Sequence, residues 1–405
     1  MTVPNSPNRA KDRVQSARVE QAGLLTHSDS RALSDPPNHD LLYHNMPSFG
    51  QVDQRLESKL KDLYKLHKER SAKIDWSYHE FLPLVRKARL PDIPNDPQQA
   101  WDRRDVFESN VLALDPTFQR KLTPEIYLAV ETAILTEVNL PWFTTELHNT
   151  FKGSLQVLVD FVRTWTSEED QHGVLLDTYL LLTDNGDAWQ RHKNRKLVTE
   201  GGFETGLQTP LETMVYTSIQ ERATMVFYLN VAQACESMDA GLARVLRRLA
   251  RDETLHYTFY RDVTKAHLEM NPNLVEMVTE VMLKFEMPGV GMPDYAHRMD
   301  IISKHAHYGP AEFYTQVIDE LMKYWDIRNL QPTYPKAREA QLKALQHHER
   351  LGRIAQRQMR ERQKLTAPSL EEVMDESNWH VSNEGKNGQA RRLTVDSNGH
   401  VAEAR

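Results

Sequence analysis

Two Glu-x-x-His motifs, Glu169-Asp170-Gln171-His172 and Glu253-Thr254-Leu255-His256, carry the residue types that could do chemistry here. Residues at i and i+3 share a helix face, so each motif presents a carboxylate beside an imidazole. Mixed oxygen and nitrogen donors suit a transition-metal ion. With 31 Glu and 17 His in the chain, about one such spacing arises by chance. The motif alone therefore decides nothing, and its surroundings must be read. The first face runs Leu158, Val162, Trp165, Glu169, His172, Leu176, Tyr179. The second runs Leu242, Leu246, Leu249, Glu253, His256, Tyr260. Both pairs sit in the middle of apolar stripes, where an ionised carboxylate is costly unless something compensates it.

Glu137 and Glu221 repeat the anomaly, each on an apolar stripe that precedes a Glu-x-x-His segment. The spacing is constant. Glu221 follows Glu137 by 84 residues, as Glu253 follows Glu169 and His256 follows His172. Two similar helix hairpins about a pseudo-twofold axis would bring all six side chains to one centre. That is the arrangement of di-iron and di-manganese carboxylate bundles, with one Glu from each of two helices and Glu-x-x-His from each of the other two. Four buried carboxylates would be balanced by two divalent ions. Iron and manganese both accept these donors.

The elements that must position these residues are helices. Apolar residues recur at three-to-four spacing over 52–72, 101–114, 123–150, 154–183, 209–237, 239–269, 273–286 and 310–327. Gly and Pro mark breaks at Asn185-Gly186, Gly201-Gly202, Asn271-Pro272 and Pro288-Gly289. Alternating strand patterns are scarce, so the expected class is all-α, a four-helix bundle elaborated with extra helices. We expect a disordered N-terminal tail over 1–47 and the bundle domain over 48–330. A charged helix with a thin apolar stripe is expected over 331–365, and a disordered C-terminal tail over 366–405.

Composition narrows the function classes. The 405 residues contain 50 Lys+Arg and 57 Asp+Glu, a net charge of −7, which argues against a general nucleic-acid binder. The sole cysteine, Cys235, excludes an intramolecular disulfide and any cysteine-built zinc or iron–sulfur site. No apolar run of about 18 residues is present, so no integral membrane segment is expected. The N-terminus lacks the apolar segment of a secretory signal. A cytoplasmic protein is the expectation, with a plastid location left open.

At the same residues the sequence resembles the soluble acyl-[acyl-carrier-protein] desaturases. The resemblance rests on Thr136-Glu137 followed by Leu140-Pro141, and on Trp165-Thr166-Ser167-Glu168-Glu169 running into His172. It continues through Tyr216-Thr217-Ser218-Ile219-Gln220-Glu221-Arg222-Ala223-Thr224 and Asp252-Glu253-Thr254-Leu255-His256, with Trp76 and Phe81-Leu82-Pro83 upstream. It covers roughly residues 45–330. It implies a ferritin-like bundle holding two iron ions, cycling between Fe2+ and Fe3+. Glu137, Glu169, His172, Glu221, Glu253 and His256 would be the ligands, and Glu169 and Glu253 the bridges. It implies O2 activation, electrons from a reduced ferredoxin, and insertion of a cis double bond into a saturated fatty acyl chain on acyl-carrier protein, in fatty acid biosynthesis. A homodimer is implied too. Trp76, Asp252 and His172 fall on the family's path toward the metal, and Thr224 falls on its threonine beside the oxygen site. The chain departs from the family at Thr254-Leu255, where Lys-Arg is frequent, so basic docking surface is reduced there.

An alkyl C–H bond offers no acidic proton, so a redox centre rather than side-chain acid–base chemistry must break it. The competing readings are another di-iron oxidase, such as a hydroxylase or a radical-generating subunit, and a non-catalytic iron-binding relative. Docking an acidic carrier needs basic surface. Three patches offer it: Lys59, Lys61, Lys65, Lys68 and Arg70; Arg191, Lys193, Arg195 and Lys196; and Arg244, Arg247, Arg248 and Arg251.

Overall fold

The computed structural model describes residues 49–86, 112–114, 121–152, 154–366, 393–395 and 401–403. By its contacts the chain separates into Met1–Asp53 and Gln54–Arg405. The first unit contributes only the opening residues of helix α1 (Phe49–Ser71) to the description. A short 3-10 turn (Tyr78–Phe81) follows α1, and β1 (Leu84–Arg86) pairs antiparallel with β2 (Leu112–Leu114). Then come α2 (Pro124–Glu137), α3 (Leu140–Phe151), α4 (Gln156–Leu182), α5 (Ala188–Gly201), α6 (Pro210–Cys235), α7 (Ala240–Met270), α8 (Val275–Lys284) and α9 (Tyr295–His305). The short α10 (Pro310–Glu312) passes through a π-helical segment (Phe313–Ile318) into α11 (Asp319–Tyr324), and the long α12 (Pro335–Thr366) follows. A second small strand pair joins β3 (Leu393–Val395) to β4 (Val401–Glu403). The fold is all-α in class, and α2, α4, α6 and α7 pack together as its central bundle.

Local chemistry fixes where the bundle helices begin. Thr123 caps α2 by accepting from the Ile126 N–H, and Pro124 occupies the first turn, where a missing N–H costs nothing. Thr209 and Glu212 form a reciprocal capping box ahead of α6, again with Pro at the first position. Asp239 caps α7 through the Leu242 N–H. The α4–α5 turn needs a glycine. Gly186 has φ of +72°, and a Cβ there would lie 2.1 Å from the Tyr127 ring, so only hydrogen fits.

Helix α6 is buried on nearly every side, from Leu211 to Cys235. Such a helix can only be the centre of a fold. Around it, Phe161 of α4 stacks on Phe259 of α7 with centroids 3.6 Å apart. Tyr64 of α1 meets both rings edge-on. Truncating one fully buried large side chain in such a core costs about 2–5 kcal/mol.

Three sequence expectations change. The helix expected over 123–150 is two helices, because Pro141 lacks an N–H and its ring crowds the preceding turn, so the chain breaks at Val138 and Asn139. The helix expected over 101–114 is contradicted at its end, since Leu112–Leu114 is a strand whose backbone pairs with Leu84–Arg86. Residues 101–111 lie outside the described residues. Helices α5 and α9 escaped the periodic reading because they are largely polar, with few buried positions. The tail expected over 1–47 lies outside the described residues, as does most of that expected over 366–405. No described helix is long and apolar enough to cross a membrane.

Candidate metal centre

The four bundle helices bring all six sequence-identified side chains together. Glu137 ends α2, Glu169 and His172 lie in mid-α4, Glu221 in mid-α6, and Glu253 and His256 in mid-α7. Two four-residue groups result, Glu137–Glu169–His172–Glu253 and Glu169–Glu221–Glu253–His256. Within each group, one donor atom per residue lies within 4.8 Å of all the others. The groups share Glu169 and Glu253. The Nδ1 of His172 is 2.9 Å from Glu169 Oε2 and 3.4 Å from Glu253 Oε1. The Nδ1 of His256 is 2.6 Å from Glu169 Oε1 and 3.8 Å from Glu221 Oε2.

Close helix packing makes this convergence possible. A Cβ on Gly173, next to His172, would sit 3.0 Å from Glu137 Cβ. The lack of a side chain there lets α4 approach the end of α2. Neighbouring groups orient the carboxylates. Tyr228 donates its hydroxyl to Glu137 Oε1 at 2.5 Å, and Trp165 donates its indole N–H to Glu221 Oε1 at 3.0 Å.

The electrostatics show what charge the site calls for. Burial, reinforced by the neighbouring Glu169, pushes Glu137 up to about 7. Burial likewise pushes Glu253 well above the usual carboxylate range, with Glu169 and Glu221 adding to it. Burial also works against Glu169, but the adjacent His172 and His256 outweigh it and hold that carboxyl low. Both imidazoles are raised: burial opposes their charge, and Glu169 more than offsets it with help from the other carboxylates. Protons thus take the place of positive charge among four packed carboxylates. Meanwhile Glu169 Oε1, Glu221 Oε2, His172 Nδ1 and His256 Nδ1 are buried and, close as they lie to one another, make no well-aligned hydrogen bond. These four atoms face a common space, and each nitrogen would offer a lone pair to a metal once its proton leaves. A donor set of carboxylate oxygens and imidazole nitrogens fits a pair of divalent transition-metal ions.

Two cavities meet at this cluster. One of about 40 Å³ is mostly apolar and is walled by Ala133, Phe227, Met287, Met299 and Tyr308, with Glu137 and Tyr228 on the side of the cluster. The other, about 20 Å³, touches Glu137, Glu169 and Glu253 directly. Thr136, Glu137 and Thr224 line both. Thr224 therefore stands at the junction of apolar space and carboxylates, with its hydroxyl donating to the Gln220 carbonyl at 3.1 Å.

The remaining sequence-identified residues form one chain. Trp76 donates its indole N–H to Asp252 Oδ2 at 2.6 Å, and that oxygen is 3.3 Å from His172 Nε2. Arg248 pairs with the other Asp252 oxygen and lies 5.0 Å above the Trp76 ring. Asp252 is buried. The sequence reading missed Glu168, His67 and Tyr228, all of which touch ligand candidates. The 84-residue offset held a signal for Glu168, since it maps onto Asp252.

The basic patches need correction. Arg191 is buried and ion-paired with Asp177, which also binds Arg195. Arg248 is turned inward, as described. Lys59, Lys61 and Lys65 are interleaved with Glu269, Glu57 and Glu69. Arg244 and Arg251 stay exposed on one stretch of α7, together with Arg247, which pairs with Glu236.

Comparison with known proteins gives the family. The chain is 27% identical over 281 residues to a Mycobacterium tuberculosis protein named "Putative acyl-[acyl-carrier-protein] desaturase DesA1", covering 67% of this chain and 80% of that protein. It is 28% identical to the chloroplastic stearoyl-[acyl-carrier-protein] 9-desaturase 3 of Arabidopsis thaliana, covering 63% and 67% of the two chains. It is 25% identical to the chloroplastic palmitoyl-[acyl-carrier-protein] 4-desaturase of Coriandrum sativum, covering 79% and 83%. Residues 50–373 match the fatty acid desaturase family, so the chain is a member of that family and an oxidoreductase.

Proposed function

We propose that the protein is an acyl-[acyl-carrier-protein] desaturase holding two iron ions. One ion would lie among Glu137, Glu169, His172 and Glu253. The other would lie among Glu169, Glu221, Glu253 and His256, so that Glu169 and Glu253 would help to hold both. The observation that carries this reading is the pair of four-residue groups sharing two glutamates beside an apolar cavity. When bound, the iron pair supplies the O2-dependent two-electron oxidation that an unactivated C–H bond requires. In balance, a saturated acyl chain, O2, two electrons and two protons give the alkene and two waters.

The protein's own groups do the rest. Apolar walls from Ala133 to Tyr308 bind the chain by excluding water and hold its methylenes against the cluster. Thr224, at the meeting point of the two cavities, holds a hydroxyl where protons must arrive. Trp76 and Asp252 fix His172 and link it toward a ferredoxin-type electron donor. An acidic acyl-carrier protein would dock on the exposed Arg244, Arg247 and Arg251, and the protein would work as a homodimer.

The test is turnover of iron-reconstituted protein with stearoyl- or palmitoyl-carrier protein, ferredoxin and its reductase, with metal counted first. We expect about two irons per chain, an acyl product two hydrogens lighter, and loss of both the second iron and the alkene in Glu221→Ala. A product that gains oxygen would replace the desaturase with a hydroxylase. Absence of stoichiometric metal would overturn the mechanism.

A further inference from the structure

The residue before each motif's glutamate is also acidic, and the 84-residue offset relates Glu168 to Asp252. The structure adds something that the offset does not contain, because the two carboxylates are crossed. Asp252 on α7 serves the imidazole of α4, His172, while Glu168 on α4 serves the imidazole of α7, His256. Each half of the centre is therefore oriented by the opposite hairpin.

The two arms also end differently. Asp252 is held by the Trp76 indole and the Arg248 guanidinium. Glu168 has only imidazoles as ion-pair partners among the described residues, and both reach the same oxygen. Its Oε2 lies 3.0 Å from His256 Nε2 and 2.9 Å from His67 Nε2, while Ser71 donates to Oε1. His67 is fixed in turn. Its side chain is 2% exposed. Its ring meets Phe161 at 5.0 Å and Phe259 at 6.0 Å, both edge-on, and lies stacked 5.9 Å from His256. Both His67 and Ser71 come from α1, which contributes no ligand to the centre.

We propose that Glu168 is a positioning residue for His256, held in place by His67 and Ser71, so that α1 sets the geometry of the half-site formed with Glu221 independently of the Trp76–Asp252 arm. This rests on the two-metal reading above. The physical basis is simple. An imidazole whose Nε2 is anchored to a carboxylate cannot rotate freely, and its Nδ1 stays aimed at Glu169 and Glu221. Removing such an anchor typically lowers metal affinity by about 10–100-fold.

Stepwise Co2+ titration of the metal-free protein, followed by visible absorption, separates the possibilities. Wild type should bind two ions. In Glu168→Ala one of the two steps should weaken by about 10–100-fold while the other keeps its wild-type affinity. Glu168→Gln keeps an oxygen that can accept from His256, and should recover most of the loss. His67→Phe, which fills the ring space without a hydrogen bond, should weaken the same step as Glu168→Ala. Melting of the metal-free variants reports on folding separately. Retention of both steps in Glu168→Ala overturns the proposal. Equal weakening of both steps, together with a fall in melting temperature of the metal-free protein, overturns it as well. If wild type itself takes up no Co2+, the two-metal reading fails first, and the result identifies that failure.

Discussion

The metal-free protein should become less stable as pH rises from about 4.5 to 7, a direction opposite to ordinary acid denaturation. Glu137 titrates near 4.5 when unfolded and is raised to about 7 in the fold by burial and by Glu169. Between those values the unfolded chain has released a proton that the folded chain still holds. Stability falls with pH wherever the native state binds more protons. The difference of about 2.5 pH units corresponds to about 3 kcal/mol at 1.36 kcal/mol per unit. The raised Glu253 adds in the same direction. So do His172 and His256, whose stabilising charge is complete below 6.5 and is lost as pH climbs through their raised folded values. Glu169, held low, acts only at more acid pH. An unfolding entropy of about 2.1 cal/mol/K per residue over roughly 300 ordered residues turns 3 kcal/mol into a fall of about 5 °C in melting temperature. The assay is calorimetric or circular-dichroism melting in chelator at pH 5 and 7.5, repeated with two equivalents of Fe2+ under anaerobic conditions. The loaded protein should show no such fall, because the ions take the place of the protons. A flat or rising Tm across this range without metal would refute the argument that the cluster is charge-frustrated.

Two further perturbations act on Glu137. Gly173→Ala places a methyl 3.0 Å from Glu137 Cβ, so the end of α2 must move; we expect a loss of about 1–3 kcal/mol in stability and weaker binding at the His172 half-site, read by denaturant melts and Co2+ titration. Tyr228→Phe removes a hydrogen bond that favours the ionised Glu137, so the Fe2+ affinity of that half-site should fall, and fall most steeply below pH 7; an unchanged affinity–pH profile would show that the hydroxyl does not bias the carboxylate.

The bundle was legible through its apolar stripes, which gave the helices and their faces. The Thr123-Pro124 and Thr209-Pro210 starts and the Asp239 cap, which begin three of the four helices, are signals that the periodic reading did not use. Where the reading slipped, periodicity had lost to another force. Leu112-Ala113-Leu114 carries apolar residues that satisfy a helical template and a strand equally well, and a backbone partner at Leu84–Arg86 decided between them. Polar helices such as α5 leave no stripe to read, yet α5 is anchored by a buried Arg191 that sequence reading had assigned to the surface.

The site was more legible than the fold, for a physical reason. Buried carboxylates are expensive, so six ligand candidates on apolar stripes announce themselves one by one, and a shared offset ties them together. Their supports do not announce themselves. Glu168 looks like a surface neighbour of Glu169, and His67 looks like a core histidine on a charged helix. Their meaning arises only when α1, α4 and α7 close on one another, because the partner of each lies about a hundred positions away or less. The 84-residue repeat could pair Glu168 with Asp252, but it could not tell which imidazole each would hold. Each half-site already takes one carboxylate from the opposite hairpin, Glu253 beside His172 and Glu169 beside His256. Because Glu168 and Asp252 are crossed as well, neither imidazole is oriented until both hairpins have packed, which couples assembly of the centre to assembly of the bundle.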